Sequence, residues 1–129
     1  MIYEVREYVP VPGRMGDVVD MFRSVVIPLF RRHEMDITQV GFTTIGDHSF
    51  NELVYTMRFA DLAELERKWG AFLTDPHWVS ALTAREESGP LYQAIRRRIV
   101  DSAPFDEVLS APHDPEQSRS GAAGGTRIP

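Results

Sequence analysis

The sequence predicts a single α+β domain of order β-α-β-β-α-β, the ferredoxin-like arrangement. Three observations predict it. A β-branched and aromatic run opens the chain, the spacing of apolar residues then switches back and forth between the strand and helix periods, and Gly, Pro, Asp or Asn stand near each switch. A length of 129 residues with 43% hydrophobic and 26% charged side chains suits one such domain and leaves no room for a second.

Ile2 to Val9 alternates polar with apolar residues and ends at Pro10-Val11-Pro12-Gly13, which offers no continuous row of backbone donors. This is the first strand and its turn. Met15, Val18, Val19, Phe22, Val25, Val26, Leu29 and Phe30 then recur as one helical stripe, predicting a helix from about Met15 to Arg32. Pro28 lies inside it, and a proline that lacks an N–H and collides with the preceding turn predicts a kink or break near Val25 to Ile27. Thr38 to Ile45 and Leu53 to Phe59 are β-branched and aromatic, and the polar, turn-rich stretch Gly46 to Asn51 joins them as a hairpin. Asp61 with Glu64 three residues on predicts a capped helix to about Leu73, and Asp75-Pro76 starts another. Leu91 to Val100, where Ile95, Arg97 and Ile99 alternate with Arg96 and Arg98, predicts the fourth strand.

With both helical segments on one face of a four-stranded sheet, the other face is bare. A bare face of that size must be polar, bind something or pair with another subunit, and the expectation is a homodimer closed sheet to sheet. The folded domain is expected over residues 1–109. From Ser110 to Pro129 the chain has almost no large aliphatic side chain to offset its ordering entropy, so residues 110–129 are expected to form a disordered tail with no site role for His113.

Several function classes fall away. The sequence contains no run of about 18 apolar residues and no basic, apolar leader at Met1, so neither a membrane partner nor secretion is expected and the location is read as cytoplasmic. Without cysteine, disulfides, thiolate nucleophiles and Cys-ligated metals are excluded. A net charge of -5 argues against general nucleic-acid binding, which needs cations on phosphates. No HxH, HxxxH or HExxH pattern points to a metal, no Gly-x-Ser-x-Gly elbow to a serine nucleophile, and no motif to a cofactor, so none of these is expected.

Tyr3-Glu4-Val5-Arg6-Glu7-Tyr8 with Pro12-Gly13-Arg14, Pro28-Leu29-Phe30-Arg31-Arg32-His33, Gly41-Phe42 with Gly46, Asn51 to Phe59, and Asp75-Pro76-His77-Trp78 stand in this order over roughly Ile2 to Phe105. In this the chain resembles the NIPSNAP family. The resemblance implies a dimeric α+β barrel, a superfamily that also includes antibiotic-biosynthesis monooxygenases and other small enzymes of secondary metabolism, and a function not established for most of the family. Two departures stand out: Glu34 where a glycine commonly follows the histidine, and Tyr55 and Met57 where the family often carries His and Trp.

Candidate site residues follow from position. Glu4, Arg6 and Tyr8 share one strand face, and Arg96 and Arg98 share one face of the fourth strand, so the two sets would pair across the sheet if the strands are neighbours. Such a set is either a polar network that fixes the dimer register or an Arg-based clamp for an anionic or carbonyl-bearing small molecule. A pocket of at least ~300 Å3 between sheet and helices is expected around Tyr55, whose hydroxyl shares a face with Leu53, Met57 and Phe59. Trp69 and Trp78 would line it as substrate contacts, Arg6 would orient the ligand, and Tyr55 or His77 would donate or accept a proton. The alternative is a non-catalytic dimeric scaffold whose aromatic residues are plain core.

Overall fold

In the computed structural model, residues 1–112 are described. Four strands, β1 (Ile2–Pro10), β2 (Asp36–Phe42), β3 (Leu53–Phe59) and β4 (Tyr92–Asp101), form one sheet of order β2-β3-β1-β4 in which every neighbouring pair is antiparallel. Between them lie α1 (Met15–Met21), α2 (Ile27–Arg32), α3 (Leu62–Leu73) and α4 (Pro76–Arg85), and a short α5 (Asp106–Ser110) follows the last strand. This is the predicted ferredoxin-like α+β fold. Within the segment expected as a tail, Ser110 closes α5, and residues 113–129, His113 among them, lie outside the described residues.

Strand parity decides where the core sits. The ladder sets Ile2 opposite Phe59, Glu4 opposite Met57, Arg6 opposite Tyr55 and Tyr8 opposite Leu53, so these eight share one face. That face meets the helices: Leu53, Tyr55, Met57 and Phe59 are buried together with Val18, Met21, Phe22 and Phe30 of the first helical segment and with Leu65, Trp69 and Phe72 of α3. The opposite face carries Val5, Glu7, Val54 and Thr56, all half-buried at most, with no helix from the described residues upon it.

Pro28 does not break the first helix. Phe22–Val26 winds instead as a π-turn, in which the Ile27 N–H reaches back five residues to the Phe22 carbonyl. The wider turn stands directly before the proline, where an α-turn would press the ring on the carbonyl four residues back, and α2 then restarts with Pro28 in its first turn, where a missing N–H costs nothing. β2 also starts two residues earlier than predicted and ends at Phe42 rather than Ile45, since Asp36 and Ile37 already pair with Arg58 and Met57 ahead of a bulge at Thr38.

The end of α2 is built on an unusual residue. Glu34 N–H bonds the Arg31 carbonyl and Met35 N–H the Phe30 carbonyl, the paired bonds of a Schellman motif, with both Phe30 and Met35 buried. That motif requires a left-handed residue between them, and Glu34 takes it at φ 55°. A side chain there crowds its own carbonyl, the reason glycine is favoured. The α3 and α4 starts follow the sequence closely: the Asp61 carboxylate accepts from Glu64 N–H, and that of Asp75 from His77 N–H.

Glu34→Gly is expected to stabilise the protein by about 0.5–1 kcal/mol, because the strain disappears while the Lys68 bond to the backbone carbonyl at position 34 is kept. Urea denaturation measures it, and an unchanged or lower midpoint would show that the Glu34 side chain is needed.

Candidate functional site

At the centre of the helix-facing side of the sheet sits a carboxylate. Glu4 is fully buried. One oxygen accepts the Trp69 indole N–H at 2.5 Å, and the other meets Arg97 Nε at 2.6 Å and Arg6 Nη1 at 3.3 Å. A buried carboxylate left alone would be prohibitively costly, so these three donors are a condition of its being there. Glu4 in turn holds Arg6, whose guanidinium lies 4.6 Å from the Trp69 ring centre and whose Nε donates to the Tyr8 hydroxyl at 3.0 Å. The Tyr8 hydroxyl continues to that of Tyr55 at 2.8 Å.

This chain of contacts forms one wall of a cavity of about 260 Å3 between the sheet, the π-turn, α3 and α4. Arg6, Tyr8, Tyr55 and Tyr92 are its polar wall, and Phe22, Phe30, Trp69, Phe72 and Trp78 much of the rest. Leu73, Glu86 and Ile95 touch it as well and are exposed, which marks the opening. The cavity is smaller than the expected ~300 Å3, the lower end for drug-sized ligands. Its occupant is correspondingly small. Burial, reinforced by the neighbouring Tyr8, raises the Tyr55 phenol well above its ordinary pKa, so it holds its proton through neutral pH and can donate a hydrogen bond but not act as a base. Burial also raises Tyr92, whose hydroxyl is enclosed with no hydrogen-bond partner.

Of the residues singled out from sequence, Arg6, Tyr55, Trp69 and Trp78 meet on this wall, and His77 is not on it. The His77 side chain is 68% exposed, and its ring faces Asp75 Oδ1 at 3.2 Å and Arg32 at 3.4 Å. As the second residue of α4 beside its cap, it is turned toward the Asp75 carboxylate while the next residue, Trp78, turns inward. Asp75 is held by His33 Nε2 at 2.7 Å and by the His77 backbone N–H, which bring its carboxyl down to about 2. His48 is exposed in its loop, as expected. Among the described residues no group of three His, Asp or Glu side chains is placed to hold a metal ion.

The pairing expected between Glu4 and Arg96 or Arg98 is not formed. The β1–β4 ladder puts Arg97 opposite Arg6 and Arg96 opposite Glu7, so Arg97 reaches Glu4 on the helix side while Arg96 and Arg98 bond Glu7 on the bare side. The signal was in the sequence: Arg97 shares parity with Ile95 and Ile99, the apolar positions that belong with the helices. Tyr8, singled out with Glu4 and Arg6, is on the cavity wall, whereas Tyr92 was overlooked because a strand tyrosine read alone is ordinary filler. Glu4, Arg6 and Tyr8 face the cavity side of the sheet rather than its bare side.

The NIPSNAP family model matches residues 3–106. An uncharacterized NIPSNAP-like domain protein from Burkholderia xenovorans has the same fold, with a TM-score of 0.70 at 23% identity over 89% of this chain and 96% of its own. A NIPSNAP family protein with unknown function from Agrobacterium tumefaciens superposes with a TM-score of 0.67 at 23% identity, covering 78% of this chain and 86% of its own. An antibiotic biosynthesis monooxygenase is a more distant likeness, with a TM-score of 0.53 at 13% identity over 78% of this chain and 97% of its own. No curated protein matches. No helix among the described residues is long and apolar enough to cross a membrane. With the family model covering most of the chain and the fold shared by solved members, this protein belongs to the NIPSNAP family.

Proposed function

We propose that the protein binds a small, mainly apolar molecule in the cavity between sheet and helices, and that any chemistry done there is cofactor-independent. The observation that carries this reading is the convergence of Arg6, Tyr8 and Tyr55 on an otherwise aromatic cavity. A sealed core gains nothing from a half-used guanidinium. Within this reading Tyr55 acts as a hydrogen-bond or proton donor, since its raised pKa removes it as a base, and His77 has no part because it faces away from the cavity. Trp69, Trp78 and Arg6 make the ligand contacts. The distant likeness to an antibiotic biosynthesis monooxygenase supports a small-molecule role only through the shared fold.

The homodimer belongs to the same proposal. What supports it is the bare sheet face, on which Val5, Val54 and Thr56 lie between the ion pairs of Glu7 with Arg96 and Arg98 and of Arg58 with Asp36. A face that mixes small side chains with charges already paired within the chain suits burial by a second copy. A scaffold without a ligand is the competing reading, and the cavity is the observation against it.

Both Trp residues of the chain line the cavity, so tryptophan emission reports its occupancy. Screening a small-molecule library by emission shift is expected to yield ligands whose affinity changes at least about fivefold in Tyr55→Phe, while that variant loses no more than about 1.5 kcal/mol of stability, the worth of one hydrogen bond. No ligand, or ligands indifferent to Tyr55→Phe and Arg6→Met alike, would leave only the scaffold. Light scattering of the full chain at micromolar concentration is expected to give twice the monomer mass, and a monomer there would remove the dimer.

A further inference from the structure

Arg6 is held fast but only partly used. A guanidinium carries five N–H hydrogens. One, on Nε, goes to the Tyr8 hydroxyl and one, on Nη1, to Glu4, which leaves three without a partner among the described residues, both hydrogens of Nη2 included. Nη2 is not an enclosed, unpartnered atom like the Tyr92 hydroxyl, the lone such side-chain atom among the described residues, so space reaches it, and Arg6 lines the cavity. The Nη1–Nη2 edge is the one that takes a carboxylate with two parallel bonds.

Charge points the same way. The buried Glu4 carboxylate is shared by two guanidinium groups, Arg6 and Arg97, and Arg97 lies closer to it. The cluster therefore has one positive charge in excess. Glu86 is the one acidic side chain that touches the cavity, and it is exposed at the opening. The hydroxyls leave a donor free: Arg6 can only donate to Tyr8, and Tyr8 and Tyr55 share a single bond between two O–H groups, so one hydroxyl hydrogen is left over whichever of them donates. Phe22, Phe30 and Trp78 line the same cavity, with Phe22 and Phe30 packed against the Tyr55 ring.

We infer that the ligand is a small aromatic carboxylate, its carboxylate on the Nη edge of Arg6 and its ring among Phe22, Phe30 and Trp78. The inference rests on the reading of the cavity as a ligand site and adds the chemical class. The cavity's 260 Å3 admits one ring with a short acid arm. Because Glu4 and Tyr8 already fix the guanidinium, the ligand has no arginine side chain to order, which favours affinity.

Three probes that share one ring and a two-carbon arm separate the possibilities: phenylacetate, phenylacetamide and ethylbenzene, titrated against the full-length protein by tryptophan emission. Phenylacetate is expected to bind at least about tenfold more tightly than phenylacetamide, the margin of a charge-assisted bidentate pair over a neutral one. In Arg6→Met, which keeps the length of the side chain, phenylacetate is expected to lose that advantage while ethylbenzene changes by less than about twofold. Arg6→Lys keeps the charge and loses the fork, so intermediate phenylacetate affinity is expected. If ethylbenzene or the amide binds the wild type as well as the acid does, the carboxylate class is wrong and the cavity remains a ligand site. If no probe shifts the emission, the class and the ligand site fall together. The wild-type comparison decides the matter even if the Arg6 variants fail to fold.

Discussion

A carboxylate enclosed on the inner strand β1 sets the terms for everything around it. Glu4 cannot be buried unless its charge is met, and the groups that meet it come from three elements: Arg6 of β1 itself, Arg97 of β4 and Trp69 of α3. Through Arg6 the same set continues to Tyr8 and to Tyr55 of β3. The central strand, both of its neighbours and the helix above them are thus tied at one point by directional bonds. Apolar packing alone would fix neither the rotamer of Trp69 nor the place of the guanidinium, since it has no preferred direction. The cavity wall is a consequence of satisfying Glu4.

The helices supply the other half of the cavity by not closing down on the sheet. The π-turn at Phe22–Val26 places Phe22 and Val26 on the cavity, and the Asp75-Pro76 cap begins α4 so that Trp78 and Leu82 return toward it. Aromatic rings at this junction meet mostly edge to face or tilted, with Phe30 touching Tyr55, Trp69 and Phe72 at once. Such rings pack firmly yet leave flat surfaces that a planar molecule can join.

Much of the fold was legible in the sequence because its signals are local. Strand alternation in β1 and β3, the stripe of α3, and the caps at Asp61 and Asp75 are read within a few residues and appear as expected. The π-turn was not legible, since over five residues the stripe Phe22, Val25, Val26 looks the same whether the turn is α or π. Partnership across the sheet was legible only in part. Which of three consecutive arginines meets Glu4 depends on the β1–β4 register, a non-local fact, although the apolar parity of Ile95 and Ile99 pointed to Arg97. Arg6, Tyr55, Trp69 and Trp78 were found because they sit on core faces with polar ends. His77 was misplaced because neighbours in a helix point about 100° apart, and Trp78 facing inward sends His77 outward.

The claim that Glu4 organises the site is tested most directly by the stability of Glu4→Gln in chemical denaturation. Glutamine keeps the size and can still accept from Trp69, but it brings an NH2 group where Arg6 and Arg97 need an acceptor, or else turns that group on the indole. A loss of about 3 kcal/mol or more is predicted, as for a buried charge pair that loses one partner. A loss below about 1 kcal/mol, within the range of an exposed ion pair, would contradict it.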